Sequence, residues 1–190
     1  SRITKEREFM EGQLENGFYF SQHSLDIFRT CPIRFKKKYI DGLYWSSGNN
    51  RWDQRMQKGR YFHLMAERHF SGIPLRMEFF EEYGELNEWI DALKRLKPED
   101  GKSTYYPEYQ IKIRDGDMLL QAKYDLVVAD TNNSITIYDW KTEPYPLKKQ
   151  HMKNRLQTRV YPYVMVKGGE RLIGREVKPE DVVMVYWQPT

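Results

Sequence analysis

The sequence predicts a mixed α/β (α+β) domain: a three-strand antiparallel meander, a strand parallel to it after a crossover helix, and a helical region at the amino-terminal end. Three observations carry this. Residues 108–114, 117–129 and 135–141 form consecutive strand-like runs joined by Asp115-Gly116 and a polar turn. A helical pattern over 147–166 then leads to the apolar run DVVMVYWQP, and a strand reached by a helical crossover joins a sheet in parallel. Before residue 100, apolar residues recur at helical rather than strand spacing. The 190 residues are read as a single domain. Residues 1–17 are a loose polar lead-in, 18–100 the helical region and 101–190 the sheet-and-helix core.

Composition narrows the class. Aromatics make up 15% of the chain, which argues against disorder despite a mean hydropathy of -0.82. A formal charge of +4 and a pI near 9.0 favour a polyanionic partner. Cys31 is the single cysteine, so no internal disulfide forms, and a reducing, cytoplasmic setting is expected. No apolar run reaches membrane-span length, so no membrane partner is expected.

In chain order, Ser21 is the expected N-cap of a first helix, with Phe20 and Leu25 stapling its start and Leu25 and Phe28 forming its apolar face. Pro32 ends that helix or opens the next. Arg34, Lys36, Lys37 and Lys38 then surround Phe35 and Tyr39, as a solvated face or a phosphate contact. Residues 43–51 read as a loop. From Trp52 to Phe70 a helix puts Met56, Gly59, His63, Ala66 and Phe70 on one face, so His63 points inward, as a core residue or a ligand. Two amphipathic helices are expected over 75–83 and 85–96, the second burying Leu86, Trp89, Ile90, Leu93 and Leu96.

In the sheet, alternation puts Tyr109, Ile111 and Ile113 on one face of the first strand and Glu108, Gln110 and Lys112 on the other. Asp125 lies in the second strand. In the third, Ile135, Ile137, Asp139 and Lys141 share a face, so an apolar face ends in a carboxylate and a strand-end ammonium expected to be exposed. Charges at a core edge are costly. A divalent metal beside a cation that stabilises developing negative charge would explain them, and so would a surface salt bridge. Glu108 either reaches the mouth formed by Asp125 and Asp139 or faces solvent. In the helix over 147–166, Met152, Leu156, Val160 and Val164 form the apolar stripe. Lys148, Lys149, Lys153, Arg155 and Arg159 make a face of one sign, as a phosphate backbone requires. Pro162 is expected to kink this helix and Lys167-Gly168-Gly169 to stop it.

Asp125 followed by Asp139-Trp140-Lys141 in a strand-turn-strand resembles the core motif of the PD-(D/E)XK nuclease superfamily. Four more stretches are similar to its RecB-like branch, which includes CRISPR-associated RecB-type exonucleases. Ser21-Gln22-His23-Ser24-Leu25 through Cys31-Pro32 and Phe35 resembles the first helix, and Gly59-Arg60-Tyr61-Phe62-His63 a G-x-x-x-H element. Glu108 resembles an extra acidic residue, and Gln157-Thr158-Arg159-Val160-Tyr161 a Q-x-x-x-Y motif. The resemblance implies a restriction-endonuclease-like core and a metal-dependent deoxyribonuclease, with exonucleolytic action in repair, recombination or mobile-element defence as the expectation. It implies His63, Asp125, Asp139 and the Trp140 carbonyl as ligands of Mg²⁺ or Mn²⁺. Lys141 would position or activate water, while Glu108, Gln157 and Tyr161 would complete the catalytic group. DNA is the implied substrate and a helicase or other nucleic-acid-processing protein an implied partner. Some relatives hold an iron–sulfur cluster with four cysteines; with Cys31 alone, none is expected. The competing class is a nuclease-like DNA-binding module that does not cut.

Overall fold

The computed structural model describes residues 17–43, 50–75, 84–96 and 102–189, with the side chains of 50–54 left aside. The lead-in before residue 17 and nearly all of the helix expected over 75–83 lie outside these residues.

A four-stranded sheet in the order β1-β2-β3-β4 organises the chain. Strands β1 (Ser103–Asp115), β2 (Met118–Asp130) and β3 (Ile135–Trp140) form the antiparallel meander, and β4 (Val182–Trp187) runs parallel to β3. The Gly116-Asp117 turn closes the first hairpin, with Gly116 at φ 58, a conformation that glycine adopts without steric cost. This mixed sheet with flanking helices is the restriction-endonuclease-like architecture.

On one face lie α3 (Asn50–Phe70) and α4 (Gly84–Lys94). There Phe62, Met65, Ala66, Leu86, Ile90 and Leu93 are almost wholly buried against Leu126 and Trp140. Met56, expected on the inward face, is exposed instead, so the buried stripe of α3 begins a turn later. The other face is covered by α6 (Gln157–Gly168), whose Val164 and Met165 bury against Ile111, Ile113, Tyr124, Ile135 and Ile137. A Cβ on Gly168 would come within 2.5 Å of Ile111, so a glycine lets the end of α6 lie directly on β1.

The first helix, α1 (Gln22–Thr30), starts as the sequence predicts: Ser21 and Ser24 form a reciprocal cap. Its buried face is carried by Ser24 and Ile27, while Phe28 is exposed. Pro32 opens α2 (Pro32–Phe35), which runs into a π-helical turn, Lys36–Ile40. The helix expected over 147–166 is two helices. Between α5 (Lys149–Asn154) and α6, Arg155 is extended at φ -66, ψ 138. The Met152 carbonyl accepts both the Arg155 N–H at 3.1 Å and the Thr158 hydroxyl at 2.5 Å, which ties the two helices together across the break. Pro162 sits inside α6, after the break rather than at it.

Alternation fails at one level of the sheet, in both strands at once. Tyr109, Ile111 and Ile113 in β1, and Leu120, Ala122 and Tyr124 in β2, face α6. Beyond Glu108 and Asp125 the parity reverses: Tyr106 and Val127 face α6, whereas Tyr105, Leu126 and Val128 face α3. Pairing runs up to Pro107↔Leu126 and resumes at Tyr109↔Tyr124, so Glu108 and Asp125 are opposed but unpaired. Glu108 is also at φ 51, a left-handed conformation costing a non-glycine residue about 1–3 kcal/mol. One residue inserted in each strand at the same rung keeps the register while turning both strands over.

Candidate metal centre

The paired interruption places two carboxylates opposite α3. His63 Nδ1 lies 3.2 Å from Asp125 Oδ1, and one donor atom each of His63, Glu108 and Asp125 lies within 4.8 Å of the others. This is the one such group among the described residues. The second Asp125 oxygen accepts the Trp140 N–H at 2.7 Å, which fixes the carboxylate to β3. Glu108 is steadied by the Lys123 ammonium at 2.5 Å. His63 is placed by α3, where Gly59, one turn earlier, lets the helix approach the chain after β3: a Cβ there would meet Thr142 Oγ1 at 2.9 Å.

Asp139 and Lys141 occupy the α6 side, at the end of the face that carries Ile135 and Ile137. Asp139 is only 4% exposed. One of its oxygens faces the Lys141 ammonium and the other accepts from Gln157 Nε2. Lys141 Nζ also lies 3.3 Å from Gln157 Oε1 and 5.5 Å from the centre of the Tyr186 ring. Lys141 is therefore not an exposed strand-end cation: its side chain is 15% exposed and held by three neighbours. The break before α6 is what aims Gln157, at that helix's first position, into the sheet. Tyr161 is half-buried against Tyr124, whose hydroxyl donates to the Tyr161 carbonyl at 3.0 Å.

Charge and burial pull on this group in opposite directions. Burial pushes the Asp139 carboxyl up to about 6; Lys141 opposes the rise and the Asp125 charge adds to it. Burial lowers the His63 imidazole, but its hydrogen bond to Asp125 and the charges of Asp125, Asp139 and Glu108 outweigh that and raise it. Burial keeps the Tyr161 phenol protonated, so it is a hydrogen-bond donor at neutral pH.

A cleft of about 610 Å³ opens over His63, Glu108 and Asp125, with Tyr161, Arg55, Arg60 and Lys123 in its walls. Those three cations were not singled out from the sequence. A signal was present, since Arg55 and Arg60 precede His63 on one helix at eight and three residues. Lys148, Lys149 and Lys153 are exposed along α5 and at its N-cap, Arg159 is exposed on α6, and Arg155 is partnered by Glu143 at 3.3 Å.

A family model for the PD-(D/E)XK nuclease superfamily matches residues 19–115 and 85–190. The chain belongs to this superfamily. No curated protein matches it. Nucleases of this superfamily use divalent metals and act on DNA, and the donor set fits such an ion. Bonds of ~2.1 Å put opposite ligands ~4.2 Å apart, close to the spread of the His63, Glu108 and Asp125 donors. Two carboxylates suit a hard cation, and one imidazole favours Mn²⁺ over Mg²⁺. No described helix is long and apolar enough to cross a membrane.

Proposed function

We propose that this chain is a RecB-like deoxyribonuclease that hydrolyses phosphodiester bonds with Mg²⁺ or Mn²⁺, acting as an exonuclease in DNA repair, recombination or mobile-element defence. The observation that carries the reading is the convergence of His63, Glu108 and Asp125 on the floor of a cation-walled cleft. His63, Asp125 and Glu108 would hold the ion, with Asp139 and the Trp140 carbonyl completing its shell. When bound, the cation supplies Lewis-acid charge to the phosphodiester and acidifies a water. Lys141, kept beside Asp139, would hold the attacking water and a phosphoryl oxygen. Gln157 holds the Asp139–Lys141 pair through its side-chain amide, and Tyr161 would donate from the cleft wall. Arg55, Arg60 and Lys123 would take flanking phosphates, with Lys148, Lys149, Lys153, Arg155 and Arg159 as a more distant track. The motifs Ser21–Phe35, Gly59–His63 and Gln157–Tyr161 support the RecB-like assignment within the superfamily.

Labelled linear and circular DNA incubated with the protein, with and without Mn²⁺, tests this. Metal-dependent loss of the linear form, with closed circles spared, is the expected result. Cleavage of circles would replace the exonuclease assignment by an endonuclease. Absence of cleavage on every topology with either metal would leave a DNA-binding module.

A further inference from the structure

A second cavity, of about 510 Å³, adjoins the metal cleft and shares with it the wall formed by Arg55, Gly59 and Thr142. The chemistry of the two differs. The metal cleft brings His63, Glu108 and Asp125 together, whereas the second cavity sets the Trp89 indole, Pro144 and Pro146 among Lys58, Glu85 and Glu143. Trp89 is half-buried, and its ring meets the Phe62 edge at 5.7 Å between centres, so its plane is fixed by the core. The prolines lie on a segment held in place by Gln188, which donates to the Glu143 and Tyr145 carbonyls at 2.6 and 2.9 Å and accepts from the Leu147 N–H at 3.1 Å. The cavity is thus a built feature with a rigid aromatic wall.

The geometry points to a nucleobase subsite: one unpaired base of a single-stranded DNA end enters this cavity and stacks on Trp89 while its phosphate lies in the metal cleft. This rests on the nuclease reading above and adds to it the class of substrate. The shared wall stands one helical turn, ~5.4 Å, from His63, so the two sites are neighbours along a strand. The absent Gly59 side chain lets α3 lie against Thr142, so only a thin wall separates the two sites. At present the Lys58 ammonium covers the Trp89 ring at 4.4 Å and pairs with Glu85. The Glu85 side chain is 68% exposed, so the pair can part at little cost and release Lys58 toward a phosphate as a base takes its place. The Trp89 face that Lys58 covers is then free for a base to stack on. A base inside an intact duplex is already stacked and paired and gains nothing from such a pocket, so the preference falls on single strands.

Binding measured by fluorescence anisotropy without added divalent metal tests the subsite apart from catalysis. The probes are a short oligodeoxythymidine, an abasic strand of equal length and a duplex. Wild type is expected to bind the thymidine strand about ten- to a hundredfold more tightly than the abasic one. Trp89→Leu should lose that preference and bind the abasic strand and the duplex as wild type does, and Trp89→Phe should keep most of it. Equal wild-type affinity for thymidine and abasic strands overturns the proposal, and so does a folded Trp89→Leu variant that retains the preference. Should Trp89→Leu fail to fold, the abasic comparison on wild type and Trp89→Phe still decides. DNA cleavage alongside equal binding of the thymidine and abasic strands would sink the subsite and leave the nuclease reading standing, whereas binding of none of the three probes together with no cleavage on any topology removes both.

Discussion

The two sides of the centre handle their carboxylates differently. Asp139 is buried, and both of its oxygens are engaged by the protein itself, through Lys141 and Gln157. Glu108 and Asp125 open onto a cleft and share one imidazole and one lysine between them. The first side is matched internally by one ammonium and one amide. The second leaves two carboxylates and an imidazole open to the cleft, where one cation would meet all three. The open carboxylates offer free coordination sites, whereas Asp139 would join an ion's shell through an oxygen that the protein already engages.

The largest expected effect comes from the open side. Asp125→Asn keeps an acceptor for the Trp140 N–H but removes the charge. Calorimetry should show Mn²⁺ affinity falling by more than the ~10–100-fold that loss of an outer partner costs, and cleavage should vanish with it. Unchanged Mn²⁺ affinity would move the ligands to the Asp139 side and break the comparison.

Lys141→Met tests the closed side. The substitution leaves His63, Glu108 and Asp125 in place, so Mn²⁺ affinity should stay within a few-fold. Cleavage should drop about a hundred- to a thousandfold, the scale of losing one electrostatic stabiliser. Because Lys141 is buried beside Asp139, the variant should also melt earlier, as removing one partner strands a buried carboxylate. An unaltered melting temperature together with full activity would show that the pair is not coupled.

The smallest effect is in pH. Asp139 titrates near 6 in the fold against an ordinary 3.8, so its folded pKa is raised. The stability it contributes is present below 3.8 and is lost as pH rises to about 6. His63 is raised above 6.5, so its contribution is present below that value and is lost as pH climbs through its folded value. Metal-free protein should thus lose stability from this site between about pH 4 and neutrality. The thermal shift given by Mn²⁺ should grow over the same range, because the ion displaces protons. A Mn²⁺ shift that is flat with pH would place the metal away from both groups.

Much of this was legible in the sequence. Asp115-Gly116 and the alternating runs around it mark the meander, and DVVMVYWQP after a helix marks the parallel strand, because turn chemistry and periodicity are local. The face of Ile135, Ile137, Asp139 and Lys141 was also legible, since β3 alternates without interruption. What escaped was non-local. Period-two reading assumes a uniform pleat, so it could not see both strands turn over at Glu108 and Asp125, nor decide that Glu108 belongs with His63. The break at Arg155 carries no glycine or proline and is stabilised by Thr158 and Glu143 from elsewhere. The burial of Lys141 depends on Gln157 and Tyr186, which arrive from a later helix and strand.

The rung missing between β1 and β2 makes the meander, mechanically, two ladders in series. One spans Ser103–Pro107 with Leu126–Asp130, the other Tyr109–Asp115 with Met118–Tyr124. At the joint the pairing skips Glu108 and Asp125, whose side chains bring donor atoms within 4.8 Å of each other. An ion taken up there would be a rivet as well as a reagent: loading the centre and stiffening the sheet across its seam would be a single event.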